Sequence, residues 1–258
     1  MEEFKSSLEW RRYYELNASE LRNIPWHLGA DLSEKEKEMI SSSVQTFQLG
    51  ESSEGRHLLK CAADHAQDHD DPQYLQAVRL FIKEEQRHAM DLGRFLKLNG
   101  IPLSKTAFTD SVFRKLRHMA NLEQSIAVLL TAEIIAQVYY PALLKATQSK
   151  VLKTLCEQII SDEDQHVRFQ AQRLIILRKN CPFPRVVLAH FLHRLLFWAT
   201  CLAVWPGHAK VFKAAGLSFY GFLQSAGQRL EHVMGLMSYE NIYGFRYYIK
   251  AKELQVTQ

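Results

Sequence analysis

Between residues 125 and 144 the chain reads SIAVLLTAEIIAQVYYPALL, and Glu133 is the single charged residue in that stretch. A helix that is apolar on all sides is buried, and an unpaired ionised carboxylate inside a protein is expensive. The fold must therefore bring partners to Glu133 from other segments.

Three Glu-x-x-His motifs offer such partners: Glu54-x-x-His57, Glu85-x-x-His88 and Glu163-x-x-His166. With 19 Glu and 11 His in 258 residues, chance supplies roughly one. A separation of three puts both side chains on one helix face. Helical signals dominate the chain. Ser33 and Glu36 form a capping box that opens a helix expected to run to about residue 66. Asp71 and Pro72 open a second, which ends where Asn99, Gly100 and Pro102 suit a C-terminal cap. A third runs from about Asn121 to Thr147 and a fourth from about Lys150 to Asn180. Residues 101–120 connect the two pairs.

Spacing sharpens the reading, because two antiparallel helices bring level those residues that are equidistant from their turn. Glu54 and Glu85 are centred between residues 69 and 70, inside the first turn. Glu133 and Glu163 are centred on residue 148, inside the second. Each hairpin thus sets a helix-borne Glu level with a Glu-x-x-His on its partner. Glu51, one turn before Glu54, is the alternative donor; the midpoint favours Glu54. His57 reads as a neighbour of the site rather than a ligand.

Packing the hairpins together gathers Glu54, Glu85, Glu133 and Glu163 with His88 and His166. Four negative charges cannot stay ionised in a core without counter-ions, and two divalent metals balance them. Carboxylate and imidazole donors without thiolate favour iron or manganese. Cys61, Cys156, Cys181 and Cys201 form no CxxC pair, so neither a zinc ribbon nor a rubredoxin-like site is available.

Over residues 34–180 the pattern resembles the ferritin-like di-iron carboxylate superfamily. In its oxygen-activating branch, which includes acyl-carrier-protein desaturases and bacterial multicomponent monooxygenases, the motif reads Asp/Glu-Glu-x-Arg-His. EEQRH at 84–88 fits throughout, and DEDQH at 162–166 departs only at Gln165. The resemblance implies that Glu84 accepts a hydrogen bond from the outer ring nitrogen of His166. It implies the same for Asp162 and His88, with Arg87 paired to Asp162, which fixes each imidazole's tautomer. AEIIAQVYYPAL is similar to the aldehyde-deformylating oxygenases, in which a Tyr and a Pro follow the third-helix Glu. That implies a hydrogen-bonding role near the site for Tyr140, and Pro141 marks a kink.

The expected fold is all-α: a ferritin-like four-helix bundle with a crossover between helices two and three, plus extra C-terminal helices. Residues 1–33 form an N-terminal extension, 34–180 the bundle and 181–258 a C-terminal helical extension packed on it. The expected activity is that of a non-haem di-iron oxidase or oxygenase. Two iron ions (Fe/Fe, or Mn/Fe) would use dioxygen as co-substrate and an external electron donor to oxidise a hydrophobic organic substrate. Leu58, Leu129, Ala136 and Gln137, one turn from the ligands, would line its cavity. The alternative is a ferroxidase, iron-handling or peroxide-reducing protein of the ferritin or rubrerythrin type. Against it stand the long continuation past helix four, the missing CxxC pair and the doubled acid before each His motif.

Charge is unevenly placed. Residues 168–258 hold 12 Lys and Arg against 3 Asp and Glu, which suits an acidic partner: an anionic lipid surface, RNA, or an acidic carrier protein for the substrate. Nothing points to DNA, and hydroxylation of a tRNA base rests on this charge alone and ranks last. The acidic N-terminus lacks the pattern of a secretory signal and reads as cytoplasmic; a monomer or dimer is expected. Residues 186–205 are apolar and long enough to span a membrane, but His190, His193 and Arg194 lie in their middle. Charge there is costly, so a helix packed on the bundle is expected, interrupted at Pro206 and Gly207, with an interfacial helix as the lesser option.

Overall fold

The computed structural model describes residues 4–52, 55–105 and 121–244. Its helices are α1 (Ser7–Asn17), α2 (Glu34–Glu51), α3 (Arg56–Asp68), α4 (Pro72–Leu98), α5 (Leu122–Ala146), α6 (Lys150–Arg178), α7 (Phe183–Ala214) and α8 (Phe219–Leu236), with a short 3₁₀ turn at Trp26–Leu28. Among the described residues there is no strand. The connecting residues 106–120 and the aromatic tail from 245 onward lie outside the described residues.

Local chemistry sets the helix starts. The Glu36 backbone N–H donates to Ser33 Oγ, and Glu36 Oε2 accepts from the Ser33 backbone N–H in return. Asp71 accepts from Tyr74 N–H at 3.0 Å, with Pro72 at the first helical position. Asn121 and Gln124 form a reciprocal box like that of Ser33 and Glu36 at the head of α5. Helices α3 and α4 form one antiparallel hairpin and α5 and α6 the other. The apolar helix α5 sits at the centre, against α3, α6, α7 and α8.

Three differences from the sequence reading matter for the site. The first bundle helix is not continuous: α2 stops at Glu51 and α3 begins at Arg56. Gly55 caps α3 in the left-handed region at φ +62°, and a Cβ there would lie 2.6 Å from Ile82 Cδ1. Only glycine meets both demands without strain. Second, the N-terminal extension contains a helix, α1, which lies along α4 and reaches α6 through Trp10 Nε1 donating to Gln172 Oε1 at 2.8 Å. Third, α7 is not interrupted at Pro206 and Gly207; it runs on to Ala214 and stops before Gly216, at φ +83°. Proline removes one backbone hydrogen bond, yet Val204, His208, Val211 and Phe212 on either side of it are buried and hold both halves in line. Helix α5 likewise continues through Pro141.

The inner side of α7 carries imidazoles into the core. Burial lowers His193 to about 3, helped by the Arg178 charge, and lowers His208 to about 4. Both are therefore neutral when folded and titrate near 6.5 when unfolded. The sign follows: the unfolded chain binds more protons below pH 6.5, so stability is full above that pH and is lost as pH falls toward 4 and then 3. Each group costs up to about 1.4 kcal/mol per pH unit within its window. Denaturant midpoints at pH 7 and pH 5 should therefore differ more for the parent than for His193→Gln/His208→Gln. Equal differences would show that the two imidazoles are not held neutral.

Candidate metal centre

Four helices deliver the acidic and imidazole side chains to one point in the bundle. The last residue of α2 brings Glu51, α4 brings Glu85 and His88, α5 brings Glu133, and α6 brings Glu163 and His166. Ligand atoms of Glu51, Glu85, His88 and Glu163 lie within 4.8 Å of one another, and so do those of Glu85, Glu133, Glu163 and His166. Glu85 and Glu163 belong to both sets.

The distances describe two imidazoles facing a shared acidic pair. His88 Nδ1 is 3.9 Å from Glu85 Oε1 and 4.0 Å from Glu163 Oε1. His166 Nδ1 is 3.0 Å from Glu85 Oε1, 3.5 Å from Glu133 Oε2 and 3.8 Å from Glu163 Oε2. Although the first of these is within hydrogen-bonding distance, it is not aligned as an N–H···O bond: neither His166 Nδ1 nor Glu85 Oε1 has a hydrogen-bond partner. His88 Nδ1, Glu133 Oε1 and Glu163 Oε2 are equally unpartnered among the described residues. Buried polar atoms are nearly always satisfied, so five such atoms converging on one point fit a bound cation pair.

The outer ring nitrogens are engaged. His166 Nε2 is 3.0 Å from Glu84 Oε1, and His88 Nε2 is 2.9 Å from Asp162 Oδ2. Arg87 Nη2 donates to the same Asp162 oxygen at 2.6 Å. A carboxylate on Nε2 directs the imidazole lone pair to Nδ1, on the inner side. Burial opposes ionisation of Asp162, but hydrogen bonds from His88 and Asn17 and the Arg87 charge bring it down to about 2.

Electrostatics of the protein alone show how strained the acidic set is. Burial, then the Glu85 charge, push Glu51 well above the usual carboxylate range. Burial and Glu133 do the same to Glu163, and raise Glu85 as well. Burial also works against Glu133, yet the adjoining Glu163 carboxyl and the His166 imidazole lower it. Burial would depress His166, but the surrounding carboxylates raise it well above its ordinary value. Without a cation, protons do the neutralising.

Among the described residues, the acid brought into the cluster from the first part of the bundle is Glu51, the alternative donor, at the last position of α2. Glu54, which the spacing favours, lies outside the described residues. His57 sits on α3 with Nε2 3.5 Å from Cys61 Sγ, outside both donor sets. Tyr140 donates to Glu51 Oε1 at 2.7 Å. Leu58 is half-buried on α3; Leu129, Ala136 and Gln137 are buried on α5. Gln137 donates its amide to Asp164 at 2.8 Å.

Helix α1 supplies what the second motif lacks. Asn17 Nδ2 is 2.7 Å from Glu84 Oε2 and 2.9 Å from Asp162 Oδ1, bridging the two carboxylates that hold the imidazoles. It stands in for the arginine missing at Gln165, whose side chain instead accepts from Lys5. Tyr14, one turn earlier, is buried 6.2 Å from the His166 ring, and its hydroxyl has no partner among the described residues. The Ser6-x-x-Glu9 capping box at the head of α1 was the signal in the sequence that could have located this helix.

An open groove of about 740 Å³ lies between α2 and α4. Gln48 and Ser52 line it from the α2 side, and Ala89, Met90, Gly93, Arg94 and Lys97 from α4. The four residues expected to line a cavity on α3 and α5 are not among its walls.

No protein-family model matches the chain, and no curated protein does. A solved structure of an R2-like ligand-binding oxidase with an aerobically reconstituted Mn/Fe cofactor is similar, with a TM-score of 0.57 and 13% identity. The match covers 91% of this chain and 94% of that one. At that identity the likeness is one of architecture. The chain has the ferritin-like helical fold of the R2-like proteins.

Proposed function

We propose that the protein is a di-metal oxidase of the oxygen-activating kind, holding two iron ions or a manganese–iron pair. The observation that carries this reading is the pair of donor sets sharing Glu85 and Glu163, with their inward-facing atoms unpartnered and the outer imidazole nitrogens bound to carboxylates. His88, Glu51 and one side of the shared pair would hold one metal; His166, Glu133 and the other side would hold the second. The bound pair supplies the reduction of dioxygen.

The chain's own residues supply the rest. Asp162 and Glu84 keep Nδ1 of both imidazoles free of a proton and pointed inward. Tyr140 holds Glu51 in place, while Phe81, 4.8 Å from the His166 ring, and Tyr14 close the site from water on one side. The apolar part of the groove lining, with Ala89, Met90, Leu98 and Leu103, supports a hydrophobic organic substrate. Arg94 and Lys97 in the same lining suit an acidic group on that substrate or on a protein carrying it.

Metal analysis of protein loaded with ferrous iron, alone and with manganese, tests the reading. The expected result is about two metals per chain and an ultraviolet–visible change on admitting oxygen. Hundreds of irons in a hollow particle would replace it with iron storage, and protein that binds no metal would end it.

A further inference from the structure

Helix α7 turns its more polar side inward. His190, His193, Thr200 and His208 are buried against the bundle, whereas Leu188, Phe191, Leu192, Leu195, Trp198 and Leu202 are between 38% and 61% exposed. At about 100° per residue the six fall within about 60° of Leu195, one continuous outward face. From Leu188 to Pro206 that face extends roughly 27 Å along the axis. Arg194 is the only charged residue in this span, and its guanidinium is paired with Glu231 of α8. At the start of α8, Phe219 is 40% and Tyr220 76% exposed, and the Phe219 ring lies 5.2 Å from Trp205.

Such a face is out of place in water. Among the described residues two helices have the length and hydropathy to cross a bilayer, α5 and α7; the apolar window of α5 is 78% buried, that of α7 only 33%. Because the inner side of α7 packs on α2, α5 and α8, the helix cannot span as a lone segment. Its outer side is an apolar patch of the size that marks an interaction surface.

Charge selects the occupant. The next residues on the outward face are Lys210 and Lys213, both exposed, and Arg185 stands at the opposite end. A second copy laid parallel along this face would set Lys210 and Lys213 against their own equivalents, and like charges meeting there disfavour that pairing. We propose that α7 docks the protein on an anionic phospholipid bilayer, its apolar face in the headgroup–acyl boundary and Lys210 and Lys213 against lipid phosphates. The arrangement follows the physics of interfacial helices, apolar area plus attraction to anionic lipid, and stands independently of the metal site.

Flotation of the full chain with vesicles of phosphatidylcholine, alone and mixed with phosphatidylglycerol, tests it. The protein should float with the mixed vesicles, and brominated acyl chains should quench its tryptophan fluorescence, most of that quenching disappearing in Trp198→Phe. Phe191→Ser/Leu195→Ser should weaken vesicle binding by about tenfold or more. Lys210→Glu/Lys213→Glu should weaken binding to the anionic vesicles by about tenfold or more; it alters only exposed side chains and so serves if the apolar variant folds poorly. Failure to float with either vesicle would overturn the proposal. So would a vesicle-free dimer, seen by light scattering, that Phe191→Asp dissociates, because the face would then be a self-interface. Metal content is unaffected in every case, so failure here leaves the metal reading untouched.

Discussion

Glu163→Gln is expected to lower the metal content from about two per chain to below one, whereas Glu133→Gln should leave about one. Glu163 belongs to both donor sets and Glu133 to one. An amide keeps the volume of the carboxyl but neither its charge nor a second anionic oxygen. The metal-free protein should hardly notice the change. Burial and the Glu133 charge raise Glu163 well above the usual carboxylate range, so it is neutral in the folded, metal-free state and Gln is a close substitute. A raised carboxyl also gives the metal-free parent stability that declines as pH rises from about 4.5, a limb that Glu163→Gln should lose. Metal at a hundred times its dissociation constant stabilises by about 2.7 kcal/mol per site, which for a chain of this size shifts Tm by roughly 5 to 10 °C. The parent should show that shift on loading and Glu163→Gln should not. A variant that still takes up two metals would show that Glu163 does not serve both positions.

Much of this site could be reasoned from the sequence because helices translate spacing into geometry. Glu85 and His88 share a face through their separation, and Glu133 could not lie in an apolar helix without partners. Those inferences need only the helical period and two capped turns. What the sequence did not yield came from places where the period breaks. The ends of α2 at Glu51 and of α1 at Asn17 place those two side chains, and neither end is marked by the helical period. Gly55 is ordinary in sequence; its φ and its closeness to Ile82 become visible only when α3 is packed on α4. Asn17 is separated from Glu84 by 67 residues and from Asp162 by 145, and no local pattern encodes that meeting. Pro206 misleads in the opposite direction: a local helix breaker is overruled by buried contacts on both sides.

The network behind the imidazoles should prove nearly as sensitive as the ligands. Asp162 is fully buried, and Arg87 Nη2 at 2.6 Å is the permanent positive charge paired with it among the described residues; Asn17 and Gln158 add neutral hydrogen bonds. Removing one partner of a buried pair leaves an uncompensated charge and costs about 3 to 5 kcal/mol, here softened toward the lower figure by the two amides. Arg87→Leu should therefore lower Tm at pH 7 by roughly 10 °C. The pH dependence carries the diagnostic sign. Asp162 is held at about 2, below its unfolded value of 3.8, so its contribution is complete above pH 3.8 and vanishes as pH falls through 2. The gap between parent and variant should accordingly be widest near neutrality and close in strong acid. Metal should still bind to Arg87→Leu, but about tenfold to a hundredfold more weakly, because His88 loses a fixed orientation rather than its donor atom. Arg87→Lys restores the charge without the planar fork and should recover part of the stability. If Arg87→Leu melts with the parent at pH 7, the Asp162 carboxylate is satisfied by the amides alone, and Arg87 has no part in holding His88.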